Sequence, residues 1–240
     1  MKQNLRRAAA IALAVLTVAF AYFIYRQDVV FLGTEKQQVQ AIFDYASAKS
    51  TGWEDTKIRT YLHPVVEFDE IVAGRRVLVF SDSEIEGLRG HITFRRGLFG
   101  GWQPLRAFYT VGRPILSVRF AEKGAVVVFG TDVPEEIASY LMAPKNPPLE
   151  ETVMARGEVT GENFFHVYET DRNYFPAIWY FDAEGNELQG FHSDQDIPSP
   201  SIGSAETDLV YGFCGLILAV GWVIAKYCWE AGNNKKEETA

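Results

Sequence analysis

The sequence predicts a mainly β (α+β) protein: an antiparallel β domain with an N-terminal amphipathic helix, carried between two transmembrane helices. Three observations predict this. Two long uncharged apolar runs stand near the ends of the 240-residue chain. Between them, short runs rich in Val, Ile, Phe and Tyr alternate with turn residues about every 8–12 positions, the texture of an antiparallel sheet. A capped stretch after the first apolar run carries helical spacing.

The first apolar run, Ala8 to Tyr25, has 18 residues without a charge, enough to span a hydrocarbon core. Lys2, Arg6 and Arg7 precede it, and Tyr22 and Tyr25 lie at its far end, where amphipathic rings favour the interface. The second run, Leu209 to Ala225, has 17 residues; Lys226 can snorkel, and Tyr227 and Trp229 extend an interfacial belt. A core helix of a soluble protein is the alternative, but this run is apolar all round. Lys2, Arg6 and Arg7 before the first span, and Lys226, Lys235 and Lys236 after the second, place both termini in the cytoplasm. No Lys or Arg occurs between Gln189 and Asp208.

A cleaved signal peptide competes with the first span. The basic start is followed by an apolar region and Ala19-Phe20-Ala21, an A-x-A pattern. Apolar sequence continues past it through Ile24 and on to Val29–Leu32, which favours an uncleaved helix. On either reading the middle faces outward. The predicted division is a cytoplasmic N-terminus (1–7), transmembrane helix 1 (8–25), an extracytoplasmic β-rich domain (34–192), a polar linker (193–208), transmembrane helix 2 (209–225) and a cytoplasmic tail (226–240), in a plasma membrane.

The middle is acidic. Residues 29–205 hold 25 Asp or Glu against 16 Lys or Arg, a net −9, with no basic stripe, which argues against a nucleic-acid partner. Acidity of this kind serves solubility. The two cysteines, Cys214 and Cys228, are 14 residues apart on one predicted helix, about 21 Å, too far to bridge each other. An exported domain without cysteines needs an ordinary core. With no Asn-x-Ser/Thr acceptor either, the chain leans towards a bacterial exported protein.

Element by element, Thr34 with Gln37 makes a capping-box pattern, and Val39, Ile42, Phe43 and Ala46 follow at helical spacing, so a helix is expected from about Glu35 to Lys49. Strands are expected at 65–72 and 75–81, with Ala73-Gly74 as the hairpin between them. Further strands are expected at 90–97, 102–109, 115–121 and 125–130. Val133 to Met142 reads as a short helix stopped by Pro144. Four more strands are expected at 152–159, 163–170, 175–182 and 186–193.

The densest glycine cluster is Gly97-Leu98-Phe99-Gly100-Gly101. A phosphate cradle needs a strand, glycines and then a helix N-terminus. Here a strand-like segment containing Pro104 follows, so a hairpin turn with positive φ is expected instead. Trp102, Arg95, Arg96 and Arg106 are expected to rim that turn.

No other constellation resolves into a site. His63, His91, His166 and His192 are scattered, without zinc spacing, and no G-x-S-x-G elbow occurs. Asp82, Glu84 and Glu86, and again Asp182, Glu184 and Asn186, alternate in a way that can bind calcium, but polar turns with positive φ at Gly185 and Asn186 explain the second set better. The segments 79–90 and 179–190 echo each other at Asp82/Asp182, Glu84/Glu184, Leu88/Leu188 and Gly90/Gly190. Shared turn chemistry is preferred to duplication.

From His63 onward the chain resembles membrane-anchored extracytoplasmic proteins of Gram-positive bacteria that lack an assigned activity. The shared features are an N-terminal anchor, a short helix, a His near the first strand (His63), a V-L-V-F strand (Val77 to Phe80) and a G-x-x-G-x-W pattern (Gly97, Gly100, Trp102). The resemblance covers about the first 110 residues of the outer domain, and the second span departs from the usual single anchor. It implies location and fold, and brings no activity or site.

The functional expectation is a membrane-anchored extracytoplasmic binding or interaction module, a sensor or an accessory subunit of a membrane complex, rather than an enzyme. The alternative is a cell-envelope enzyme whose site assembles from residues distant in sequence. No catalytic, cofactor-binding or metal-binding residue is assigned. The expected partners are the lipid bilayer and other membrane proteins through transmembrane helix 2, where Gly215-x-x-x-Ala219 and Gly221-x-x-x-Ala225 allow close helix approach, as Ala8, Ala10, Ala12 and Ala14 do in the first span.

Overall fold

A computed structural model describes residues 2–27, 29–48, 62–144, 150–171, 177–188 and 204–233. The chain forms two compact units, residues 1–30 with 203–240, and residues 31–202.

The first unit is a pair of long helices, α1 (Lys2–Gln27) and α3 (Ser204–Asn233). Each contains a stretch long and apolar enough to cross a membrane, Asn4–Arg26 and Leu209–Glu230. The helices run antiparallel. Arg7 lies over the Trp229 ring at 5.3 Å, the Cys214 thiol donates to the Ala21 carbonyl at 3.4 Å, and the rings of Tyr25 and Tyr211 are 6.0 Å apart. At the middle, Gly221 faces Thr17 so closely that a β-carbon there would overlap the threonine side chain. Small residues make that seam: Ala10, Ala21, Gly221 and Ala225 are buried, whereas Leu16, Phe20, Phe23, Trp222 and Val223 point outward. The expected small-residue face is therefore half corrected. Gly221 and Ala225 pack on α1, but Gly215 and Ala219 are exposed and nothing lies within 4 Å of a β-carbon at Gly215. On α1, Ala10 and Ala14 turn inward while Ala8 and Ala12 do not.

The second unit is antiparallel β with one helix, as the sequence predicts. Helix α2 (Glu35–Ala48) begins where Thr34 caps it, its hydroxyl accepting from the Gln37 N–H at 3.3 Å. Strands β1 (Pro64–Val72), β2 (Arg75–Asp82), β3 (Leu88–Arg96) and β4 (Trp102–Val111) form sheet A as a meander. Strands β5 (Ile115–Phe120), β6 (Ala125–Gly130) and β9 (Phe164–Glu169) form sheet B, in the order β5-β6-β9. Strands β7 (Ser139–Ala143), β8 (Ala155–Glu158) and β10 (Ala177–Phe181) form sheet C, in the order β10-β7-β8.

Sheet B is the middle layer. Because side chains alternate along a strand, Leu116, Val118, Val127 and Phe129 meet Val72, Val77 and Val79 of sheet A, while Ile115, Val126, Val128 and Phe164 meet Tyr140, Met142, Ala155 and Tyr180 of sheet C. All six residues of β6 are buried, which explains why its sequence is an unbroken apolar run. Helix α2 lies against sheet A through Gln38, whose amide donates to Asp69 at 2.7 Å. A bulge in β1 next to Glu67 turns its carboxylate to accept from Ser81 at 2.6 Å and Asn163 at 3.0 Å, tying sheet A to the start of β9.

One helix assignment and one strand assignment change. The segment 133–142, expected to be helical, is a turn followed by β7. Val133 and Ile137 have helical spacing because both drop into the core from a loop, and the Ile137 N–H closes a turn onto Pro134 at 3.0 Å. By Ala138 the backbone already bonds to both neighbours, donating to Phe181 at 2.9 Å and accepting from Val159 at 2.8 Å. The strand expected at 186–193 reduces, among the described residues, to one bridge between Glu187 and Phe181; residues 189–193 and most of the expected linker lie outside the described residues. Residues 204–208 of that linker belong to α3.

The glycine cluster is a hairpin turn joining β3 to β4. The Gly97 N–H donates to Gly101 at 2.8 Å, and the positive φ falls on Phe99 (54°) and Gly100 (77°), with Gly97 at −92°. At the 182–186 turn only Gly185 has positive φ (83°), not Asn186.

Candidate functional site

The predicted histidines do not converge. His63 lies beside Glu84 at 3.4 Å on the surface, and its N–H donates to Asp82. His91 is buried between the rings of Phe108 (5.8 Å) and Phe129 (5.6 Å), in the layer between sheets A and B. Neither of its ring nitrogens has a hydrogen-bond partner among the described residues. Burial, reinforced by the charge of Arg106, pushes its pKa down to about 3, so it is a neutral core residue. His192 lies outside the described residues.

His166 is different. On β9, Phe164, His166 and Tyr168 occupy alternate positions and face sheet C, where β7 presents Tyr140. The Tyr140 hydroxyl is 2.8 Å from His166 Nδ1 and 2.7 Å from the Tyr168 hydroxyl. Tyr140 stacks on Phe164 at 5.5 Å and on His166 at 6.1 Å. Gly157 on β8 makes room for this chain: a β-carbon there would overlap both tyrosine hydroxyls. Tyr140 is fully buried, and desolvation, then its bond to Tyr168, raises its pKa far above that of an ordinary phenol. Desolvation lowers His166 below the ordinary imidazole value. Both groups are therefore held neutral at pH 7. With one proton on each hydroxyl, the chain can run from Tyr168 through Tyr140 to His166 or in the reverse direction.

Above this chain lies an open groove of about 800 Å³ between β8 and β9. Ser139, Arg156, Glu158, Thr160, His166 and Tyr168 supply its polar lining, with Phe165 and Val167 as apolar wall. Each bordering strand is the last of its sheet in the observed strand order. Arg156 is steered by a two-pronged contact with Glu150 at 2.9 and 3.0 Å.

The acidic sets serve their own turns. Asp82 accepts from the backbone of His63, Glu84 and Ile85, at 2.6 to 3.0 Å. Asp182 accepts from the backbone and side chain of Asn186, which lowers its pKa. The positive-φ glycines of the two echoing segments, Gly87 and Gly185, occupy non-equivalent positions in the echo, as expected for turns built independently. Of the expected rim, Arg96 is exposed, Arg95 bonds Gln103 at 3.1 Å, and Trp102 lies beneath Arg76 at 5.4 Å.

The groove escaped the sequence reading because its parts lie on β7, β8 and β9 and β7 reads as a helix. The readable signal was the alternation Phe164, His166, Tyr168, which puts two polar rings on a face otherwise apolar. The chain matches no protein-family profile, no curated protein and no solved structure.

Proposed function

We propose that this chain is a two-span protein of the plasma membrane, with both termini in the cytoplasm, which displays its β domain outside as a binding module. The groove between β8 and β9 is its contact surface. The antiparallel helix pair supports the two-span reading, because the start of α1 and the end of α3 lie at the same end of the pair, where Arg7 meets Trp229. Packing of Ala21 against Cys214 and of Tyr25 against Tyr211 supports retention of the first span, since cleavage after Ala21 would separate Tyr25 from the rest of α1.

The observation that carries the binding reading is the groove itself: a surface of both charge signs, hydroxyls and aromatic rings, laid over a hydrogen-bonded floor. Mixed polar and apolar linings of this kind orient a ligand. Edge strands on both sides add backbone donors and acceptors to the side chains. Binding is favoured over catalysis because Tyr140 is fully buried, burial lowers the pKa of His166, and among the described residues the His166 ring bonds the Tyr140 hydroxyl and no carboxylate. Gly215 and Ala219, left outside the helix pair, are the surface for a neighbouring membrane subunit.

Photo-crosslinking in intact membranes tests the groove. A photoreactive amino acid at Thr160 is expected to yield discrete adducts that the same group at Glu84 does not. Identical patterns at the two sites would remove the groove as contact surface.

A further inference from the structure

One end of sheet A carries both of its hairpin tips of interest, the Ala73-Gly74 turn and the Gly97–Gly101 turn, since Arg75 pairs with Arg95 and Arg96 pairs with Trp102. The chain enters the outer domain at that same end. The Leu32 carbonyl accepts from the Arg76 guanidinium at 2.6 Å, and Arg76 follows the first residue of β2. The apolar stretch of α1 ends at Arg26, six residues before Leu32. Six residues reach at most about 20 Å. The connection from the span to Leu32, which Arg76 holds, is therefore short.

Their chemistry suits that surface. Phe99 is 77% exposed, Leu98 55% and Ile71 64%. Phe99 is held at φ 54°, a region disfavoured for a bulky side chain, and one where strain is kept at functional positions. Arg96 is exposed beside the tip, and Arg95 stands next to it. Exposed apolar side chains beside an exposed arginine match the boundary between anionic headgroups and acyl chains.

We propose that this end of the outer domain docks on the anionic lipid surface of the bilayer holding the chain's own spans. Phe99, Leu98 and Ile71 enter the interface, and Arg96 meets headgroup phosphates. The proposal rests on the two-span reading. The groove between β8 and β9 is built from sheets B and C, and docking through sheet A sets the orientation in which that groove is presented.

The test uses the full chain, with Cys214 and Cys228 replaced by Ser, reconstituted in phosphatidylcholine vesicles with or without phosphatidylglycerol. A polarity-sensitive fluorophore is placed at Phe99→Cys or at Glu84→Cys, the latter in the β2–β3 turn at the opposite end of sheet A. Lipids carrying a shallow acyl-chain quencher are expected to quench the label at 99 several-fold more than that at 84. The difference should grow with phosphatidylglycerol and shrink in Arg96→Glu. Equal quenching in a protein that floats with the vesicles after an alkaline wash would overturn the docking proposal and leave the anchor standing. Failure to float would overturn the anchor, and the docking with it.

Discussion

His91 shows what a single buried residue does to this domain. Its imidazole is enclosed by two phenylalanine rings and has no hydrogen-bond partner among the described residues. The folded pKa is about 3, against an ordinary value of 6.5. Between those values the unfolded chain binds a proton that the folded chain refuses, so stability falls as pH drops through that window and is unaffected above it. Each pH unit within the window costs about 1.4 kcal/mol. His91→Leu is therefore expected to move the acid-unfolding midpoint to lower pH, followed by far-UV circular dichroism, with little change at pH 8. An unchanged midpoint would mean that other groups, such as His166, govern acid unfolding. Tyr140 makes the complementary case. Tyr140→Phe removes a hydroxyl serving two partners, and is expected to cost about 1–2 kcal/mol in denaturant unfolding. The loss stays modest because His166 and Tyr168 are only partly buried and can turn to water.

At the scale of elements, the helix pair and strand β7 carry the argument. Of Gly212, Gly215 and Gly221, Gly221 is the one that meets α1, against Thr17, and Gly215 faces away. With Cys228 replaced by Ser, Gly221→Ile is expected to raise the alkylation rate of Cys214 several-fold, because separating the helices frees a thiol now bonded to Ala21. Gly215→Ile should leave that rate unchanged. Equal effects would place the seam elsewhere. Strand β7 illustrates the opposite difficulty. Glu135, Glu136 and Ile137 favour a helix locally, yet Tyr140 and Met142 gain more by joining the core between β8 and β10. Local propensity loses to tertiary pairing there, as it commonly does for short segments.

At the scale of the whole molecule, the two-span reading predicts topology. An alkaline phosphatase fused after Ala240 is expected to be inactive, and one inserted within residues 193–204 to be active. Activity at both positions would mean that only one span crosses. The layered β domain predicts where mutation hurts most. Phe129, on the strand enclosed by both neighbouring sheets, is expected to cost about 3–5 kcal/mol when changed to Ala, more than any surface substitution.

Features that depend on contiguous residues are legible without the fold. Two apolar runs declare helices long and apolar enough to cross a membrane. Alternating apolar residues with Gly, Asn and Asp at turns declare antiparallel strands. The glycines at 97–101 declare a hairpin because a strand follows them. Tertiary structure decided what depends on which faces meet. Only the stacking of three sheets shows that β6 is buried on both sides, and that Tyr140, Gly157, His166 and Tyr168 come together from three strands. Only helix pairing separates Gly221 from Gly215, which look alike in the sequence. The physical reason is common to all of these. Backbone propensity and turn chemistry act over a few residues, whereas burial of a side chain is set by a partner surface many residues away.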